Sequence, residues 1–232
     1  MKKLIFLLSL ISFVSCKTLQ ISELRPTGTN EKLLPALEPQ IDMESFQFAY
    51  SMISTRTTGR TTGNDTDVIR RYSEHSTTFV DKRIQDATIL FERDLRDNIT
   101  LGNGKPVGRA VCKIPTGGTK ITGAGWLLAS TFTFTILNWF GMPAVNYTTE
   151  LELEVEIMNC NEDIIGRYTG YGFRRIPLAA WHGYDGSFVV TDGGDGPRKS
   201  NIDAFQMAMT EIKSKIAADY DRLKNELESC EK

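Results

Sequence analysis

The stretch ELELEVEIMNCNEDIIGRYTGYGFRR, residues 150–175, decides the fold. Leu151, Leu153, Val155 and Ile157 alternate with Glu150, Glu152, Glu154 and Glu156. That period of two puts the first set on a buried face and the second toward water. Asn159-Cys160-Asn161-Glu162-Asp163 is turn chemistry, so the run reads as a β-hairpin. A register pairing Glu156 with Arg167 makes a cross-strand charge pair and sets Val155 opposite Tyr168. A slip of one residue would bury Arg167 opposite Val155, at a desolvation cost. In the favoured register Gly170 and Gly172 lie on the inner face opposite Leu153 and Leu151, leaving space for something bulky. The four glutamates read as the wet face of the sheet, not as an acid/base pair.

Outward from the hairpin, Ser45–Arg56 and Val68–Val80 have strand-like composition, with Phe46, Phe48 and Tyr50 alternating. Thr57–Asp67 between them is a Thr/Gly/Asn/Asp-rich hairpin loop. Lys82–Ile99 reads as a helix, because Ile84, Ala87, Phe91, Leu95 and Asn98/Ile99 recur at three- and four-residue steps. Asp81 is its expected N-cap, and Gly102 with Asn103 ends it. Val107–Ile114 reads as a strand stopped by Pro115. Ser200–Leu227 carries a second helical stripe, Ile202, Phe205, Met209, Ile212, Ile216, Tyr220, Leu223 and Leu227, capped by Ser200 or Asn201. Asp192-Gly193-Gly194-Asp195-Gly196-Pro197 before it reads as an irregular loop. The order implies an α+β domain over residues 44–229, a single mainly antiparallel sheet with two helices packed on one face.

Residues 121–149 contain no charge, and their centre, 125–141, holds Trp126, Phe132, Phe134, Trp139 and Phe140. A membrane-spanning helix needs about 20 mostly apolar residues, and the Ser/Thr content with Pro143 weakens that reading. Three roles stay open: a buried segment plugging the sheet beside Gly170 and Gly172, a partner or oligomer surface, and membrane insertion. Trp181, His182 and Tyr184 form a second aromatic cluster, in which His182 reads as a structural loop histidine. These eight residues are the candidate contacts for a partner or ligand.

Enzyme signatures are absent. The chain has two histidines, His75 and His182, and carries no nucleophile elbow, no H-E-x-x-H and no dinucleotide fingerprint. Residues 194–200 miss the spacing of a phosphate loop. Asp185, Asp192 and Asp195 lack the terminal bidentate Glu of a calcium loop and read as solvated carboxylates. No catalytic residue, metal site or cofactor is expected.

With 41% hydrophobic and 24% charged residues the composition is that of an ordinary globular protein. A formal charge of −2 supplies no positive field, so no nucleic-acid partner is expected. Lys2 and Lys3, the apolar run Leu4 to Val14 and the small Ser15 form a secretory signal too short to span a bilayer, residues 1–15. Its removal leaves 25 basic against 29 acidic residues, near −4. Residues 17–42, with Pro26, Pro35 and Pro39, read as a tether reaching on the order of 30 Å, so that 16–43 is anchor plus linker. Leu33, Leu34 and Leu37 remain able to dock one short turn on the domain. Beyond Cys16 the cysteines are Cys112, Cys160 and Cys230. Cys112 shares a face with Ala110 and Ile114 whereas Cys160 continues the glutamate face, which opposes their pairing. Three free thiols are expected.

Phe13-Val14-Ser15-Cys16 resembles a bacterial lipobox of the Bacteroidetes type, with Phe13 where Leu is usual. The resemblance implies cleavage by signal peptidase II before Cys16 and lipidation of that cysteine. Several acyl chains anchor a protein stably where one is marginal. The element order resembles small periplasmic domains of envelope lipoproteins, such as transport-auxiliary lipoproteins and TolB-like N-terminal domains, without a shared residue motif. The expected function is therefore a non-enzymatic lipoprotein of the cell envelope, on the outer membrane, that docks an envelope protein or self-associates. The alternative is a small-ligand binder using 125–141 and Trp181–Tyr184, with a hydrolase third.

Overall fold

The computed structural model describes residues 24, 26, 32–51, 82–102, 104–122, 145–178 and 195–229. Four strands form one sheet in the order β1-β2-β3-β4: β1 Leu37–Ile41, β2 Gly108–Thr122, β3 Val145–Met158 and β4 Ile164–Leu178. β2/β3 and β3/β4 are antiparallel, and β1 runs parallel to β2. The chain is thus α+β with a mostly antiparallel sheet. The described helices number four: α1 Met43–Ser51, α2 over 82–94 with a π-helical last turn Leu95–Ile99, α3 Asp195–Ala218 and α4 Tyr220–Glu228.

The β3–β4 hairpin has the register its charges and apolar period require: Glu156 faces Arg167, Val155 faces Tyr168, Leu153 faces Gly170 and Leu151 faces Gly172. At the turn the Asn159 side-chain carbonyl accepts the Asn161 and Asp163 amides, each at 2.9 Å. Glu162 takes a left-handed φ of 66°, the one strained backbone step of the turn. The space left by the glycines is filled by α3; Phe132 and Phe134, expected there, lie outside the described residues. A Cβ on Gly172 would fall on the carbonyl oxygen of Ala204, and one on Gly170 on that of Ala208. Helix backbone therefore rests directly on strand backbone, and Phe205, Met209 and Ile212 fill the surrounding core with Leu153, Val155 and Ile157.

Several expectations are corrected. The expected strand Ser45–Arg56 is helix as far as it is described: Met43–Ser51 is helical, and what it buries is Phe46, Ala49 and Tyr50 while Phe48 stays exposed. Steps of three and four outweigh the two-residue alternation of the aromatics. Asp42 starts the helix, its carbonyl accepting the Phe46 amide and the Ser45 hydroxyl. Pro115 does not stop β2, because a bulge between Lys113 and Thr116 absorbs it. α3 begins at Asp195, not Ser200. Pro197 is tolerated there because first-turn amides lack intrahelical partners anyway. The second helical stripe is broken at Asp219, whose carboxylate accepts the Tyr168 hydroxyl at 2.7 Å. Val68–Val80, Thr57–Asp67 and the Asp81 cap lie outside the described residues.

The tether expectation fails for Leu34 onward. Leu34 bridges Thr100, and Leu37–Ile41 is a strand paired with Gly108–Cys112. A parallel neighbour requires a crossover, and α1 and α2 lie on that path. Leu24 is also buried, with its carbonyl accepting Arg93 Nη1 at 2.8 Å. At the other edge, α3 and α4 side chains occupy the outward backbone of β4. Glu211 accepts the Tyr171 amide, Lys215 donates to the Thr169 carbonyl and Arg222 to that of Ile165. An edge so occupied is closed to further strands at these positions.

Candidate functional site

One end of the sheet holds the residues that flank 123–144 and the residue from which 179–194 departs. Thr122 pairs with Asn146, and Asn146 with Pro177, so the ends flanking 123–144 and the start of 179–194 lie side by side. α3 starts where 179–194 finishes, and Asp86 of α2 meets Arg198 of its first turns in a two-point ion pair at 2.5 and 2.8 Å. This end is the candidate site. Loops held by a rigid scaffold are the usual carriers of binding function.

A buried polar seam runs close to this end of the sheet. The Thr119 and Thr149 hydroxyls are 2.8 Å apart, Ser200 donates to Thr149 at 2.8 Å, and Thr119 reaches the Asn201 carbonyl oxygen at 3.2 Å. Tyr50, Arg83, Asp86, Arg198 and Phe205 line an adjacent crevice of about 10 Å³, room for at most one water. Burial pushes the Tyr50 hydroxyl far above its ordinary range, so it stays protonated. The hydroxyl contacts of the seam and the Asp86–Arg198 pair tie α2, α3 and the sheet ends together. Sequence reading missed the seam, although a signal existed: Arg83 and Asp86 fall on the apolar face of their helix, with Ala87 and Leu90.

The buried Lys213–Asp94 pair was likewise missed, and so was the burial of Glu156, although its pairing with Arg167 was expected. Lys213 of α3 sits 2.8 Å from Asp94, whose other partner is the Asn98 amide at 2.6 Å. Burial raises the Asp94 carboxyl, and the hydrogen bonds from Lys213 and Asn98 only partly oppose it. Both charges lie on core-facing stripes, Lys213 four residues after Met209, a position where only a partnered charge persists. On the opposite sheet face Glu156 is 1% exposed, so the wet-face reading fails at this glutamate. Lys113 and Arg167 approach its two oxygens at 2.6 Å each. With a cation against each oxygen, the two ion pairs neutralise it. Desolvation works against its charge, and the two cations outweigh that and hold the carboxyl below its usual value. An open groove of about 390 Å³ lies beside Glu156, between Gln40, Met43, Val111 and Met158.

The eight contact candidates, Trp126, Phe132, Phe134, Trp139, Phe140, Trp181, His182 and Tyr184, lie outside the described residues, as does Cys16. What the structure brings together is the described residues from which the two stretches carrying the eight depart, Thr122, Asn146 and Pro177. Among the described residues no cluster of His, Cys, Asp or Glu is placed to hold a metal ion, and no helix is long and apolar enough to cross a membrane. Cys112 is free and buried, with its thiol pushed well up by desolvation, an inert core position. The expectation of three free thiols is overturned, because Cys160 is disulfide-bonded. Its place in a surface turn leaves it accessible, which the face-parity argument against Cys112 did not address. No family model and no curated protein matches this chain, so its function is argued from its own residues.

Proposed function

We propose that this chain is a non-enzymatic lipoprotein of the bacterial cell envelope, held on the outer membrane by lipid on Cys16. It docks an envelope protein or a second copy through the connections at the sheet end. The observation that carries the reading is the opening run itself, a lysine pair, a short apolar stretch and Phe13-Val14-Ser15-Cys16. The disulfide at Cys160 supports it, because such bonds persist in oxidising compartments. Labelled palmitate entering the wild type and not Cys16→Ser is the expected result. A signal-free Cys16→Ser protein that stays on membranes after a high-salt wash would refute lipid as the anchor.

A small-ligand binder is the second reading, favoured by the side-by-side departure of 123–144 and 179–194 from the sheet. All three tryptophans, Trp126, Trp139 and Trp181, fall in these two connections. Intrinsic tryptophan fluorescence therefore reports on these two connections. A saturable change with a small molecule would favour the ligand reading. Crosslinking from Trp139 to another protein, without such a change, would favour docking.

A further inference from the structure

We propose that Cys160 is bonded to Cys230, leaving Cys16 for lipid and Cys112 as a buried thiol. The sequence holds four cysteines, Cys160 is disulfide-bonded, and Cys112 is free. The partner is therefore Cys16 or Cys230. Placement selects Cys230. A Cβ added to Gly108 would meet the carbonyl of Met158 and, at 3.1 Å, Cδ2 of Leu227. Cys160 follows Met158 by two residues and Cys230 follows Leu227 by three, so both segments depart from residues that border Gly108. A disulfide needs Cα atoms within about 7 Å, which chain segments this short can supply.

Chemistry selects it again, and this half rests on the lipoprotein reading: a sulfur already in a thioether to lipid has no thiol to oxidise. The bridge also has a mechanical purpose. α4 buries only Leu223 and Leu227, a thin attachment for a nine-residue helix. A link from its C-terminal end to the β3–β4 turn would fasten it covalently. In forming the bond the two thiols release two protons and two electrons to a disulfide oxidant, which is itself reduced to two thiols.

The test uses the full chain extracted from membranes, alkylated under denaturing, non-reducing conditions and digested with trypsin. Ile121–Arg167 should be recovered linked to Asn225–Lys232, with Cys112 alkylated. In Cys230→Ser, Cys160 should become alkylated without reductant. Alkylation of Cys160 in the wild type, with palmitate still entering Cys16, would overturn the pairing alone. Linkage of Ile121–Arg167 to the peptide ending at Lys17 would overturn both the pairing and the lipoprotein reading.

Discussion

Gly172→Ala tests whether α3 is seated on the sheet by backbone contact. Gly172 faces Leu151 from β4, and its missing side chain is what lets α3 approach. The added methyl would land on the Ala204 carbonyl, with the Ala204 Cα only 3.2 Å away. Because the obstacle is helix backbone, no side-chain rotation relieves it, and α3 must retreat. Overpacking of this kind costs about 1–3 kcal/mol, and a clash with backbone belongs at the upper end. At about 2–4 °C per kcal/mol for a domain of this size, ~3 kcal/mol lowers the melting temperature by about 6–12 °C. Gly118→Ala is the control, since nothing lies within 4 Å of its added methyl. That change should be neutral or gain about 0.4–1 kcal/mol through the unfolded chain. Thermal melts followed by circular dichroism compare the two. If Gly172→Ala melts together with Gly118→Ala, α3 does not rest on the sheet there and the close-contact argument is wrong.

Val155→Asp should unfold the domain, since Val155 is 1% exposed and a buried unpaired carboxylate costs several kcal/mol out of about 5–15. Glu154→Ala, on the opposite face, should stay within about 0.5 kcal/mol, and equal urea midpoints for the two would contradict the register. Lys213→Ala should cost about 3–5 kcal/mol by stranding the Asp94 charge, whereas Asp94→Leu with Lys213→Met should recover most of it. A double-mutant cycle in urea shows whether the pair or its packing matters. Glu156, held below its usual value, contributes stability that is present above its unfolded pKa of about 4.3 and lost as pH falls through the lower folded value. The stability difference between wild type and Glu156→Gln should therefore shrink on acidification below about pH 4. Asp94, raised by burial, titrates with the opposite sign but cancels in that difference. A difference independent of pH would show that Glu156 carries no charge-linked stability.

The hairpin and the helical stripes were legible because their causes are local. Alternation from Leu151 to Ile157 and the Glu156–Arg167 pair allow one register, and burial on one face makes a slip costly. Ile202 through Ile216 repeat at helical steps that no other element explains. The proposed Cys16 signal rests on linear pattern alone. What the linear pattern could not settle depends on residues distant in the chain. Leu37–Ile41 is a strand only because Gly108–Cys112 offers it an edge. Met43–Ser51 is a helix because burying Phe46, Ala49 and Tyr50 together outweighs its strand-like aromatics. Asp94 with Lys213, and Asp86 with Arg198, look like misplaced charges until α2 and α3 meet. Gly170 and Gly172 announced a close approach, but only the packed helix shows that its occupant is α3. Local periodicity specifies elements, whereas burial partners and charge pairs exist only between elements, and so those were decided by the tertiary structure.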